Sequence, residues 1–271
     1  MQPISQQTAG AEGHSYAASP RFTEHIPRTG TMAVMPVDVL LVGAHPDDVE
    51  WGVGGIALLL REAGLSFAIV DLTNGEMGSR GTLEQRQVEA ASAAEFLHAS
   101  VRESLNLPDC GLVDSPGNRR VMAGAIRRHR PEIVLAPFWE DRHPDHAAAG
   151  LMVRNSQLYC ALTKLDDPNP PHKAGAFLFY PLHKFERPSF VVSTNDVFQL
   201  KLDLLRIHGS QFGKTAEEFG VIAQGVGDYL FGLESRDRYF GSLVGVRFGE
   251  ALVADQPIRL GGMGDILSLV R

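Results

Sequence analysis

VDVLLVGAHPDD (residues 37–48) is the stretch whose reading decides the fold. Its apolar run is nearly continuous rather than alternating, which suits a strand covered on both faces, as in a parallel sheet. It stops at His45, Pro46, Asp47 and Asp48, just where a helix should begin. A strand-to-helix turn needs a tight bend and a cap. It does not need an imidazole beside two acids.

Working outward, the alternation of strand and helix repeats. Residues 49–63 read as a helix ended by Gly64, SFAIVDLT as a second strand, and TLEQRQVEAASAAEFLHA as a long amphipathic helix. SLNLPD reads as a short third strand, RRVMAGAIRRHRP as a helix closed by Pro131, and EIVLAPF as another buried strand. The pattern predicts an α/β fold, a Rossmann-like three-layer αβα sandwich with a mainly parallel sheet and right-handed crossovers. The C-terminal part is irregular: AFLFYPL and SFVVS read as strands, NDVFQLKLDLLRIHG as a helix, and ESRDRYFGSLVGVRFGEAL as another helix. With no internal repeat and no linker, residues 36–271 read as one domain. Residues 1–35, rich in Ser, Gly, Pro and Thr, read as a flexible tail without the apolar core of a secretory signal.

Composition narrows the partners. The 271 residues carry 25 basic and 32 acidic side chains, a net charge of −7 with no basic block, which argues against nucleic acid. No apolar run approaches a membrane span. Cys110 and Cys160 lie far apart without CxxC spacing, so they read as reduced thiols, and the expected location is cytoplasmic. A small molecule is the remaining class of partner.

In open parallel sheets, function gathers at the carboxyl ends of the strands. The His-Pro-Asp triplet occurs twice, both times at such an end: in AHPDD after the first strand and in WEDRHPDHAAAG after EIVLAPF. Either loop alone has an ordinary explanation, with Pro46 as first helical residue, Asp47 and Asp48 satisfying free N–H groups, and His143 and His146 solvated. Together, His45, Asp48 and His146 supply two imidazoles and a carboxylate, a set used by catalytic zinc sites with an open fourth position. Asp47, beside the set but outside it, is placed to take a proton from a metal-activated water, whose pKa zinc lowers to about 7. His143 and His146 share a face if a helix begins within HPDH; one suits the metal and the other the substrate oxygen. Asp145 is placed to orient an imidazole. This kit serves hydrolysis of an amide or ester.

Two glycine-rich segments carry less. GVGG (residues 52–55) resembles part of a dinucleotide fingerprint, but the acidic turn before it would repel a pyrophosphate, so close helix–strand packing is the better account. TNGEMGSRGT (residues 73–82) reads either as a substrate-lining loop, with Ser79 its candidate contact, or as a long turn.

AHPDD paired with HPDH resembles the signature of the LmbE-like (PIG-L type) zinc N-deacetylases, which act on N-acetylglucosaminyl compounds. DLTNGEMGSRGTLEQRQVEA, LNLPDCGL, RPEIVLAPFWEDRHPDH, SQF and RYFGSLVGVRFGEAL extend the resemblance over nearly everything from residue 37 to about 252. They are similar to the bacillithiol branch, which deacetylates N-acetylglucosaminyl-malate. The resemblance implies one Zn2+ per chain, with Fe2+ also accommodated by such ligands. It implies that His45, Asp48 and His146 hold the metal, that Asp47 is the general base, and that His143 stabilises the oxyanion or protonates the amine. Arg86 matches a family arginine at the sugar pocket, and Arg142, beside HPDH, suits a malate carboxylate. His208, shortly before SQF, stands where related members carry a site tyrosine. A homo-oligomer, a hexamer by analogy with the branch, is implied as well. Two other readings remain: a deacetylase of another N-acetylglucosamine compound or a thiol-conjugate amidase of the same family, and, from a different class, a non-catalytic metal- or sugar-binding protein.

Overall fold

β1 (Val39–Gly43) is buried at every position, as its unbroken apolar run requires. It lies at the centre of the sheet, paired in parallel with β2 (Phe67–Asp71) on one side and β4 (Ile133–Pro137) on the other. β3 (Val101–Ser104) extends the parallel sheet beyond β2, and β5 (Ala176–Tyr180) beyond β4. β6 (Phe190–Ser193) and β7 (Gly249–Ala254) complete it in antiparallel fashion, giving the order β3-β2-β1-β4-β5-β7-β6. The computed structural model describes residues 35–184, 187–212 and 229–262. All but Met35 of the segment read as a flexible tail lies outside them.

Alternate residues of each strand feed two cores. On one face Leu40, Val42, Ala68 and Val70 pack against α3 (Pro116–His129) and α4 (Pro144–Ala161). On the other, Leu41 and Ile69 pack against α1 (Asp48–Glu62), α2 (Leu83–Leu97) and α5 (Phe198–Ile207). This is the expected three-layer α/β architecture with a mainly parallel sheet. The short α6 (Gly209–Phe212) follows α5, and α7 (Tyr229–Leu243) precedes β7. Among the described residues no helix is long and apolar enough to cross a membrane. The chain runs outward from β1 in opposite directions, to β2 and to β4, so the crevice beyond the carboxyl ends of β1 and β4 is the topological switch point. Both His-Pro-Asp loops open there.

Two readings need correction. The third strand is Val101–Ser104, not SLNLPD, most of which is loop. Its charged residues hid it: Arg102 sits bidentate on Asp71 of β2 (2.7 and 3.1 Å) and reaches Glu50 of α1 at 2.5 Å. The second correction concerns the segment read as one helix, which is α7 followed by β7; Gly245, at φ +78°, lies in the turn between them.

The Arg102 cluster also carries a stability prediction. Glu50 and Asp71 are buried and depend on this guanidinium, whose positive charge holds Glu50 far below the usual carboxylate range against the penalty of burial. Arg102→Met strips Asp71 of its counter-charge, leaves Glu50 with His208 alone, and is expected to destabilise the protein by about 3–5 kcal/mol. Urea unfolding checks this; a loss below about 1 kcal/mol would mean that water reaches the pair.

Candidate active site

The first loop is held by Asp48 itself. Its Oδ2 accepts from the backbone N–H groups of Ala44 and His45, both at 2.9 Å, closing the turn between β1 and α1. That leaves Oδ1 turned to the second loop, 3.2 Å from His146 Nε2. His45 places Nδ1 3.4 Å from Asp48 Oδ2, while its Nε2 lies 3.1 Å from Asp109 Oδ1 and 3.4 Å from Asp145 Oδ2.

The second loop leads into α4. His143 caps that helix, its Nδ1 accepting from the Asp145 N–H at 3.2 Å, and Pro144 occupies the first turn. His146, one turn in, has Nδ1 3.1 Å from Asp141 Oδ1. The rings of His143 and His146 stack with centroids 4.5 Å apart. The two histidines therefore share a face, as expected for a helix beginning within HPDH.

Donor atoms of His45, Asp48 and His146 all lie within 4.8 Å of one another, and all three residues are buried. Each imidazole has one nitrogen on a supporting carboxylate (Asp109 and Asp145 for His45, Asp141 for His146) and the other facing Asp48. Metal-binding histidines need that support to fix ring and tautomer. The set therefore fits a divalent ion of zinc's preference, with two nitrogens and one oxygen. Three overlapping groups (His45–His143–Asp145, Asp141–His146–His183 and Asp109–Cys110–Asp145) also bring donors together. Each of them spends a carboxylate both of whose oxygens already accept backbone N–H groups, whereas Asp48 keeps Oδ1 clear of them.

The charges explain what each imidazole does before an ion arrives. Burial opposes protonation of His45, but the bonds to Asp109 and Asp48 win and push its pKa up to about 11. His146 is likewise opposed by burial and pushed up to about 9 by Asp48 and Asp141. His143 goes the other way: burial and the nearby positive imidazoles hold it below its usual value. It is therefore neutral near pH 7, and because Nδ1 accepts from a backbone N–H, its proton sits on Nε2.

Asp47 stands outside the three-residue set, with Oδ2 3.4 Å from Arg86 Nη2. Burial raises its pKa to about 6, partly offset by the Arg86 charge and reinforced by Asp48. Arg86 is itself buried and donates through Nη1 to the Gly75 carbonyl at 2.8 Å. Gly75 has φ +65°, and a Cβ there would come within 2.2 Å of the guanidinium, so only glycine admits this approach. A cavity of about 300 Å³ joins these residues: His45, Asp47, Asp48, Arg86, His143 and His146 all line it.

The model of the PIG-L family, GlcNAc-PI de-N-acetylase, matches residues 40–156, a span holding both loops. The diacetylchitobiose deacetylase of Thermococcus kodakarensis is 30% identical over 229 residues, covering 79% of this chain and 81% of that protein. The chain belongs to the PIG-L (LmbE-like) deacetylase family. Among solved structures, the conserved protein TT1542 from Thermus thermophilus superposes with a TM-score of 0.75 at 36% identity, covering 83% of this chain and 97% of that one. The N,N'-diacetylchitobiose deacetylase from Pyrococcus horikoshii gives 0.69 at 26%, covering 79% and 82%. This PIG-L protein is thus a hydrolytic N-deacetylase.

Within this PIG-L deacetylase, the other residues singled out in the sequence lie elsewhere. Arg142 is exposed and does not line the cavity, and neither does the exposed Ser79. His208 is buried outside the cavity wall, with Nε2 3.2 Å from Glu50 Oε1 rather than facing a ligand. Asp145, by contrast, does reach an imidazole, that of His45.

Several cavity residues were not singled out: Trp51, Arg80, Asp109, His183, Phe212 and Tyr229. Asp109 and Asp141 lie inside LNLPDCGL and WEDRHPDH, where a search for carboxylates to support the histidines would have stopped on them. Asp141 accepts from the His143 N–H and also touches His183 Nδ1 at 3.0 Å. Asp141→Asn keeps its shape but loses the anion behind His146, and should weaken zinc binding by about 10–100-fold. Competition against a chromophoric chelator measures this; unchanged affinity would remove Asp141 from the support of the site.

Proposed function

We propose that this protein hydrolyses the N-acetyl amide of an N-acetylglucosamine conjugate, releasing acetate and the free amine, with Zn2+ held by His45, Asp48 and His146. The observation that carries this reading is the meeting of those three residues on one cavity that Asp47 also lines from outside the set. Zinc at these ligands supplies Lewis acidity and lowers the pKa of water to about 7.

The chain's own groups account for the proton movements. Asp47, ionised and oriented by Arg86, takes the proton as water attacks the acetyl carbonyl. His143, neutral with its proton on Nε2, donates a hydrogen bond to the oxygen on which negative charge develops. The proton held on Asp47 is then available to the departing amine nitrogen. A protein that merely bound metal or sugar would have no use for a carboxylate placed in this way.

The substrate class draws on relatives named for diacetylchitobiose. A third, from Kineococcus radiotolerans, is named 1D-myo-inositol 2-acetamido-2-deoxy-alpha-D-glucopyranoside deacetylase and is 30% identical over 151 residues, covering 41% of this chain and 42% of that protein. The finer reading, N-acetylglucosaminyl-malate, rests on the longer sequence similarity. It loses the contact assigned to Arg142, which lies away from the cavity. The test is acetate release by the zinc-loaded protein from N-acetylglucosaminyl-malate, diacetylchitobiose, N-acetylglucosamine and a thiol-conjugate amide. Preference for the malate glycoside is expected. Equal rates on the glucosaminides would overturn that assignment, and no acetate from any of them would overturn the function. Repeating the panel with Fe2+ in place of Zn2+ identifies the more effective ion.

A further inference from the structure

The GVGG segment, which the chemistry above does not use, coincides with a break in α1. Val53 departs from helical geometry (φ −138°, ψ 27°), dividing the helix into a first turn that carries Asp48 and Trp51 and a longer second part. In an unbroken helix the N–H groups of Gly55 and Ile56 would donate to the carbonyls of Trp51 and Gly52. Here both donate to the Glu250 carboxylate on β7, at 2.8 and 2.7 Å, and the Trp51 carbonyl accepts from Arg236 Nη2 on α7 at 2.6 Å. Both partners of the opened bond are thus taken up by side chains from the C-terminal part of the chain.

Those side chains form one buried network. Arg236 donates through Nε and Nη2 to Asp237 Oδ1 (2.9 and 2.8 Å). Lys201 of α5 joins Asp237 Oδ2 at 2.7 Å to Glu250 Oε1 at 2.5 Å. The side chains of Lys201, Asp237 and Glu250 are fully buried, and that of Arg236 is 3% exposed. Gly55 makes room for it, since a Cβ there would lie 2.9 Å from Glu250 Oε1, while a Cβ on Gly52 would run into the Tyr180 ring of β5 at 2.3 Å. The Arg236 guanidinium also sits 5.5 Å from the centroid of the Trp51 ring, and Trp51 lines the cavity.

We propose that Arg236, Asp237, Lys201 and Glu250 are positioning residues that keep α1 broken at Val53 and thereby set Trp51 in the cavity wall. The effect on substrate rests on reading this cavity as the active site; the placement of Trp51 does not. Asp48 is secured separately by the Ala44 and His45 N–H groups, so releasing Trp51 acts on substrate binding rather than on the metal.

The test uses a Trp139→Phe background, in which Trp51 is the sole tryptophan of the chain. Arg236→Met removes the donor to the Trp51 carbonyl. Lys201→Met/Glu250→Met releases the Gly55 and Ile56 N–H groups while removing the opposite charges together, which avoids an orphaned buried ion. Both are expected to change acrylamide quenching of Trp51 fluorescence about twofold or more. They should raise KM for an N-acetylglucosaminide by roughly ten- to hundredfold, with kcat and zinc affinity nearly unchanged. Arg236→Lys, which keeps a donor, should recover part of both effects. A purely structural role would lower Tm and leave quenching and KM at parental values, and that result overturns the proposal. If Arg236→Met does not fold, the double variant decides. If the parent turns over no N-acetylglucosaminide, the function fails while the quenching comparison still tests the positioning.

Discussion

Asp47→Asn is expected to bind zinc as tightly as the unaltered protein and to lose about 10²–10⁴-fold in kcat. The asparagine fills the same space beside Arg86 but cannot accept a proton from water. Asp47 takes no part in the His45–Asp48–His146 group, so metal content should not change. The pH profile gives the same group a second signature. Burial raises the Asp47 pKa to about 6 in the metal-free protein, and a bound cation favours the ionised form. The base works only when ionised, so kcat/KM should fall as pH drops through a value at or below about 6. Arg86→Met removes the positive charge that opposes protonation of Asp47 and should move this acid limb to higher pH. Metal-loaded Asp47→Asn with full activity would end the assignment of Asp47 as base.

What could be read from the chain divides along physical lines. β1, β2 and β4 declare themselves because both of their faces are covered, so nearly every residue is apolar. β3 hides because it runs along the edge of the sheet with Arg102 and Glu103, whose partners stand in distant segments: Asp71 and Glu50 for one, Arg128 and His129 for the other. Glu250 disguises β7 in the same way, as an acid on a strand that becomes intelligible only beside Lys201.

At the site, the repeated His-Pro-Asp triplet supplies the donors, and strand order brings the two copies to one crevice. The direction of a single loop residue was not legible. Arg142 and Asp141 are neighbours, yet Asp141 turns inward to the His143 N–H, His146 and His183, while Arg142 faces solvent. Its charge and its place beside HPDH favour the arginine as a substrate contact; the hydrogen bonds of the turn instead direct Asp141 inward, where it supports the histidines. His208 illustrates the same limit, since its partner Glu50 is part of the Arg102 cluster and draws the ring away from the cavity.

Asp48→Asn separates the metal from the fold. The carboxylate has two tasks: Oδ2 closes the loop through the Ala44 and His45 N–H groups, and Oδ1 faces His146 Nε2. An asparagine keeps one carbonyl oxygen for the loop but brings an NH2 group and no charge to the position facing His146. Zinc affinity should therefore fall by more than the roughly 10–100-fold that losing a supporting carboxylate costs, and activity without added metal should drop to background. Excess zinc should restore part of it, because His45 and His146 remain. Asp48→Ala removes the loop bonds as well and leaves two buried N–H groups unsatisfied, costing about 1–3 kcal/mol for each in stability in addition to the metal. Far-UV circular dichroism and thermal melts of the metal-free proteins separate the two contributions: Asp48→Asn, which loses only the charge facing the imidazoles, should melt above Asp48→Ala, which loses the loop bonds as well. Zinc bound by Asp48→Asn with parental affinity would take Asp48 out of the ligand set, and with it the convergence of the two loops on one ion.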